Sequence, residues 1–209
     1  MAVLGAAALV VGCASTRSVS GPSTPTTAAI STTVPVSPTT GSPTTVSPTT
    51  VSPTTVTAPA CPPAGTTTML ASTDPDLMSS LLGADIRTGA HPCYERVVIE
   101  LMGTGEFPGW QVGYVTDPVP RGGSGDLVYL AGDATLDVRM GMWMQSMEGE
   151  GYQGDIQLFP TTVVHVLELR LVENWEGITV WAIGLDHEYP FMVSVLHSPE
   201  RLVIDVYTG

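Results

Sequence analysis

The sequence has no lysine, and arginine occurs only seven times in 209 residues. All 20 acidic residues lie from Asp74 onward, and the one charged side chain before that point is Arg17. Six arginines against 20 acids leave the later part of the chain with a formal charge of about −14. Nucleic-acid binding needs a cationic footprint, which this balance excludes. An anionic lipid or polymer can be approached only through a bridging cation, and the first effect of such a charge is solubility. Cysteine is also scarce, at Cys13, Cys61 and Cys93 alone. The apolar run AVLGAAALVV is too short to span a bilayer.

What is present divides the chain in two. The first third is crowded with Pro, Ser and Thr, and SPTTGSPTTVSPTTVSPTTV (Ser37 to Val56) is an imperfect pentapeptide repeat. Such a segment cannot bury enough apolar surface to fold, so a disordered tether is expected over 13–65. Its roughly 50 residues would reach about 150 Å as polyproline II and nearer 40 Å as loose coil. Its Thr and Pro content permits O-glycosylation. Residues 66–209 are expected to form one domain with a modest core.

Residues 1–12 read as the end of a secretory signal, truncated at its start because no Lys or Arg precedes the apolar run. LVVGCAS (Leu9 to Ser15) resembles a bacterial lipobox, in which small residues precede the cysteine that takes the lipid and becomes the mature N-terminus. Cys13 is therefore the expected lipidation site, holding the exported protein to the outer face of the plasma membrane. The alternative is an ordinary cleaved signal. If Cys13 carries lipid, Cys61 and Cys93 remain, in a compartment where disulfides persist. Their bond would stabilise the domain by about 3 kcal/mol. A zinc site is the weaker reading, because two cysteines so far apart lack the close spacing of one.

Within the domain the pattern is β. Alternation and turn signals predict strands near 84–88, 95–102, 110–116, 134–142, 163–172, 177–185, 190–197 and 200–207. One short helix is expected at most, with Asp74 as cap, Pro75 in the first turn and Gly83 at the exit. About eight strands and so little helix predict a small all-β sandwich. Two of the strands repeat each other: ERVVIEL at Glu95 to Leu101 and ERLVIDV at Glu200 to Val206. Laid antiparallel, Arg96 faces Asp205, Val98 faces Val203 and Glu100 faces Arg201, so both charge pairs match; laid parallel, like charges oppose. The other reading is that each copy pairs elsewhere.

The stretches IRTGAHPCYERVVIEL, PGWQVGYV, GSGDLVYLAGDATLDVRM and GLDHEYPFMVSVLHSPERLVIDV occur in that order between Ile86 and Val206. Together they resemble the AMIN-like domain of actinobacterial lipoproteins, related to the AMIN modules of N-acetylmuramoyl-L-alanine amidases and secretins. YERVVIEL, LAGDATLDV and SPERLVIDV are the most specific parts. The resemblance implies a sandwich of two small sheets, no catalysis, and attachment to peptidoglycan or an envelope protein. It carries no binding residues over to this chain.

The departure from ordinary strand sequence is RMGMWMQSM (Arg139 to Met147). Met140, Met142 and Met144 would share a strand face, with Met147 near, and thioethers select Cu(I); the competing reading is gap-filling in a core. His91, His165, His187 and His197 show no metal-ligand spacing, and HExxH is absent. DHE (Asp186 to Glu188) reads as a solvated hairpin tip. GGSGD (Gly122 to Asp126) lacks the context of a nucleophile elbow. Without a Cys or Lys nucleophile in the domain, no enzyme activity, cofactor or metal site is expected; a cell-wall hydrolase built on scattered carboxylates and an extracytoplasmic Cu(I) binder remain as alternatives. Aromatic faces are the better candidates for ligand contact, since sugar rings stack on them. Among Trp110, Tyr114, Trp143, Trp175 and Trp181, alternation makes Trp181 a core residue, and Trp143 and Trp175 are the expected exposed, ligand-binding pair.

Overall fold

The computed structural model describes residue 61 and residues 64–209. The signal, Cys13 and all of the tether except residues 61, 64 and 65 lie outside the described residues. The strands are β1 (Leu70–Ala71), β2 (Leu82–Ala90), β3 (Glu95–Met102), β4 (Trp110–Val115), β5 (Val119–Pro120), β6 (Leu127–Val128), β7 (Ala134–Met140), β8 (Gln157–Leu158), β9 (Val166–Trp175), β10 (Ile178–Leu185), β11 (Phe191–Leu196) and β12 (Arg201–Val206). All eight expected strands are there, as β2, β3, β4, β7, β9, β10, β11 and β12; the other four are two-residue pairings that alternation over so short a span cannot reveal. They form a six-stranded sheet in the order β1-β4-β7-β10-β9-β8, a four-stranded sheet in the order β11-β12-β3-β2, and the hairpin β5-β6.

No helix forms among the described residues. Asp74 to Leu77 makes one turn, closed by the Leu77 amide on the Asp74 carbonyl at 3.4 Å. The segment then spends its backbone groups on neighbours: the Leu77 carbonyl accepts from Gly109, and the Ser79 amide donates to Gly141. Six residues are too few to hold a helix alone, and these tertiary bonds, with Leu81 buried, outweigh local propensity.

The repeated strand pairs with itself. β3 and β12 are antiparallel neighbours with Arg96 opposite Asp205, Val98 opposite Val203 and Glu100 opposite Arg201. Val97, Ile99, Leu101, Leu202, Ile204 and Val206 all turn inward and are buried, and they pack with Leu136, Val138, Met140, Trp181, Ile183 and Leu185 of the larger sheet. At roughly 1.5–3 kcal/mol for each side chain, this layer dominates the fold. On the outer face one of the two charge pairs forms. Arg96 grips Asp205 with Nε to Oδ1 at 2.6 Å and a second nitrogen to Oδ2 at 2.8 Å. Glu100 instead takes Arg87 of β2, at 2.8 Å, and Arg201 donates to the Pro199 carbonyl. Glu100 lies between two strands, and the diagonal arginine satisfies it before the opposite one does.

Two further bonds fix the sheets. Glu95, buried at the start of β3, accepts from the backbone amides of Val164, His165 and Val166 at 2.6–3.1 Å, tying the small sheet to the start of β9 in the large one. Cys61 and Cys93 are joined, with Cα atoms 5.4 Å apart, which clips the chain ahead of the domain to the β2–β3 turn.

Candidate functional site

The outer face of the large sheet carries the most distinctive surface. Val119 and Val128 of the β5–β6 hairpin pack on Val172, Val180 and Ala182, a second small core separate from the first. DPVPRGGSGD (Asp117 to Asp126) carries turn residues throughout; the valines flanking its glycines are the signal that it contains a hairpin. Its loop is closed by Arg121 N–H on the Asp126 carbonyl at 2.7 Å and Ser124 Oγ on Asp126 Oδ2 at 2.8 Å. Gly123 and Gly125 adopt φ of 78° and 73°, where other residues are strained. At Gly122 a Cβ would meet the Glu173 carboxylate, which places the loop directly beside the end of β9.

Between that loop and the end of β9 runs a cleft of about 460 Å³ lined by Arg121, Gly122, Ser124, Val172, Glu173 and Trp175, among others. Trp175 is 58 % exposed. Arg121 makes no ion pair among the described residues. Asn174 is held structurally: its Oδ1 accepts from the Met144 amide at 2.7 Å and its Nδ2 donates to the Gln145 carbonyl at 2.9 Å. An indole face, an unpaired guanidinium and a hydroxyl around an apolar floor can hold a sugar ring with an acidic substituent.

Trp143 is elsewhere. It is half-buried across the β9–β10 turn, where a Cβ on Gly177 would come 3.6 Å from its Nε1, and its carbonyl accepts from Gly83. The expected pair is thus divided: Trp175 lines the cleft and Trp143 does not. Alternation does not predict this, because Trp143 follows the end of β7, where the chain leaves the sheet. Trp181 is fully buried. Tyr114 locks the β10–β11 connection, donating to the Tyr189 carbonyl at 2.7 Å and accepting from its amide at 2.8 Å. Met140, Met142 and Met144 fill the core, whereas Met147 is 85 % exposed, so the four sulfurs share no surface.

Asp137 of β7 lies opposite Ala182 on the same outer face. Burial pushes its carboxyl up to about 6, against the pull of Arg139 and with a further push from Glu173. DHE is more than a solvated tip. The Asp186 carboxylate reaches His165 Nδ1 at 2.9 Å, the Tyr189 hydroxyl reaches the same nitrogen at 2.8 Å, and the His187 ring lies tilted against the Tyr189 ring, centroids 3.9 Å apart. Burial resists ionisation of Asp186, but hydrogen bonds from His165 and Tyr189 hold it below the usual carboxylate range. Burial, and then the bond with Asp186, pushes Tyr189 up to about 12. Both contacts fall on one ring nitrogen, so these residues do not line up as a proton relay to a nucleophile.

The sequence model of the AMIN-like domain matches residues 81–208, from just before β2 through β12. The chain belongs to the AMIN-like domain family. The cleft, the repeated strand and Cys93 lie inside the AMIN-like region; Cys61 and β1 precede it. Family membership gives the protein a peptidoglycan-associated role at the cell envelope, outside the cytoplasm. No curated protein and no solved structure matches the chain.

Proposed function

We propose that this protein is a noncatalytic lipoprotein of the cell envelope whose AMIN-like domain binds peptidoglycan through the cleft beside Trp175. The observation that carries the reading is the pairing of an exposed indole with an unpaired arginine in one cleft of an otherwise strongly acidic domain. Stacking on Trp175 would hold a sugar ring, and Arg121 would take the carboxylate that wall glycans carry on their lactyl or peptide substituents. One stacked ring and one charge contact bind weakly, and a polymer of repeating sugars compensates through many equivalent positions. The anchor would be a lipid on Cys13, with the Pro-rich tether lifting the domain into the wall.

The test is sedimentation of the full chain with purified peptidoglycan. Trp175→Ala and Arg121→Ala should each reduce binding about 10-fold at unchanged thermal stability, while Trp143→Ala leaves it near the parent level; a Trp175→Ala protein that binds as well as the parent refutes the cleft. Release of soluble wall fragments during incubation would favour a hydrolase. For the anchor, Cys13→Ala should move the protein out of the detergent phase, and a variant that stays there ends the lipid reading.

A further inference from the structure

The two edges of the four-stranded sheet are finished differently. On β2, Leu82 bridges Trp143, the Thr88 hydroxyl meets Thr162 at 3.0 Å, and Asp85 and Arg87 add charges. Short charged or covered edges of this kind resist pairing with other chains. The other edge, β11, reads FMVSVL, with no charge, proline or glycine. Among the described residues its one cover is at the start, where Phe191 exchanges both backbone bonds with Thr66.

Those two bonds settle the direction of every backbone group along β11. Phe191 faces away from β12, so by alternation Val193 and Val195 do too, while Met192, Ser194 and Leu196 bond to β12. The N–H and C=O of Val193 and Val195 have no strand partner among the described residues. The open window runs from Met192, just past the Thr66 cap, to Leu196, where the chain turns at residues 197–200. Ser194 is its midpoint.

We infer that β11 is a self-pairing edge: two copies of the domain join antiparallel about a twofold axis at Ser194, making one continuous sheet from the two four-stranded ones. In that register Val193 of each copy lies opposite Val195 of the other, and all four free donors and all four free acceptors match. Met192, 45 % exposed, lies opposite Leu196 of the second copy, 39 % exposed, so the apolar side chains left on the outer face cover each other. Neighbouring registers fail. Centring on Val193 drives the second strand into Thr66, and centring on Val195 requires the turn residues as strand. That symmetry of the open window favours a second copy over an unrelated strand. A strand edge alone buries less than a stable dimer needs, so the association is weak and depends on concentration. It would place two clefts on one particle, which raises the avidity for a repeating polymer.

The test is independent of glycan binding. In the full chain, Ser194→Cys places two thiols at a non-hydrogen-bonded pair, where Cα atoms approach to about 4.5 Å. Under mild oxidation it should form covalent dimer at least 5-fold faster than Thr161→Cys, an exposed control, with the unmodified chain as background. Adding Leu196→Lys should return the rate to control level while leaving maleimide labelling of the thiol unchanged. Met192→Lys is a second edge variant, should Leu196→Lys impair folding. Equal rates for Ser194→Cys and Thr161→Cys, or insensitivity to both lysines in folded protein, overturns the proposal. So does a sedimentation profile that stays monomeric up to millimolar concentration, or exclusive linkage of Ser194→Cys to another protein.

Discussion

The outer faces of the two sheets are built on opposite plans. On the small sheet the charges answer one another across strands, Arg96 with Asp205 and Arg87 with Glu100, while Val98 and Val203 are buried between these rows. On the large sheet the β5–β6 hairpin covers part of the face, Asp137 lies opposite Ala182 on that face, and Arg121 and Trp175 line the cleft at the hairpin's margin. A face on which most charges, Arg201 excepted, answer one another offers less to a ligand. A face only partly roofed exposes groups that no neighbour has used. On the reading proposed above, ligand recognition would belong to the large sheet, and the small sheet would contribute its edge.

The comparison breaks most completely if the two sheets loosen. Glu95→Gln replaces one acceptor oxygen with an amide that faces backbone donors, and should lower stability by about 3 kcal/mol, read as a reduced urea midpoint. Next is the roofed face itself. A carboxyl that titrates higher in the folded chain than in the unfolded one binds more protons when folded, so its contribution to stability falls as pH rises from about 4 to about 6. Asp137→Asn should remove that dependence and stabilise the protein by about 2 kcal/mol at neutral pH; urea curves at pH 4.5 and 7 measure the difference. On the satisfied face, a double-mutant cycle on Arg96 and Asp205 should give a coupling of about 1 kcal/mol, since the pair is bidentate and partly shielded. The smallest effect is Arg201→Ala, within about 0.5 kcal/mol, because Arg201 makes no ion pair in spite of lying opposite Glu100. Coupling of Arg201 with Glu100 as large as that of the other pair would erase the distinction between formed and merely facing charges.

Much of the small sheet was legible because its information is local. Period-two alternation names the inward residues of β3 and β12, and charge order along the two copies selects the antiparallel register. The groups that make the cleft were legible only in part. Trp175 sits beside a tight turn in the sequence, which favours exposure, but Arg121 stands among turn residues, and its position beside β9 depends on two valines packing on the sheet's outer face. The expected helix after Asp74 failed because the local signals were real but worth less than the backbone bonds that β4 and the chain beyond β7 supply.

Composition and alternation alone thus determined an acidic all-β domain behind a Pro-rich leader and its eight principal strands, and offered the antiparallel partnership of the repeated one as one of two readings. These follow from side-chain chemistry read one residue or two apart. Only the tertiary structure decided between the two readings of the repeated strand, that Glu100 prefers Arg87, that Trp143 and Trp175 part company, that Asp137 faces Ala182 on the outer face and that β11 has no second sheet partner among the described residues. Each of these depends on which of several suitable partners reaches a group first across more than one strand, and that competition is resolved by distance in the folded chain.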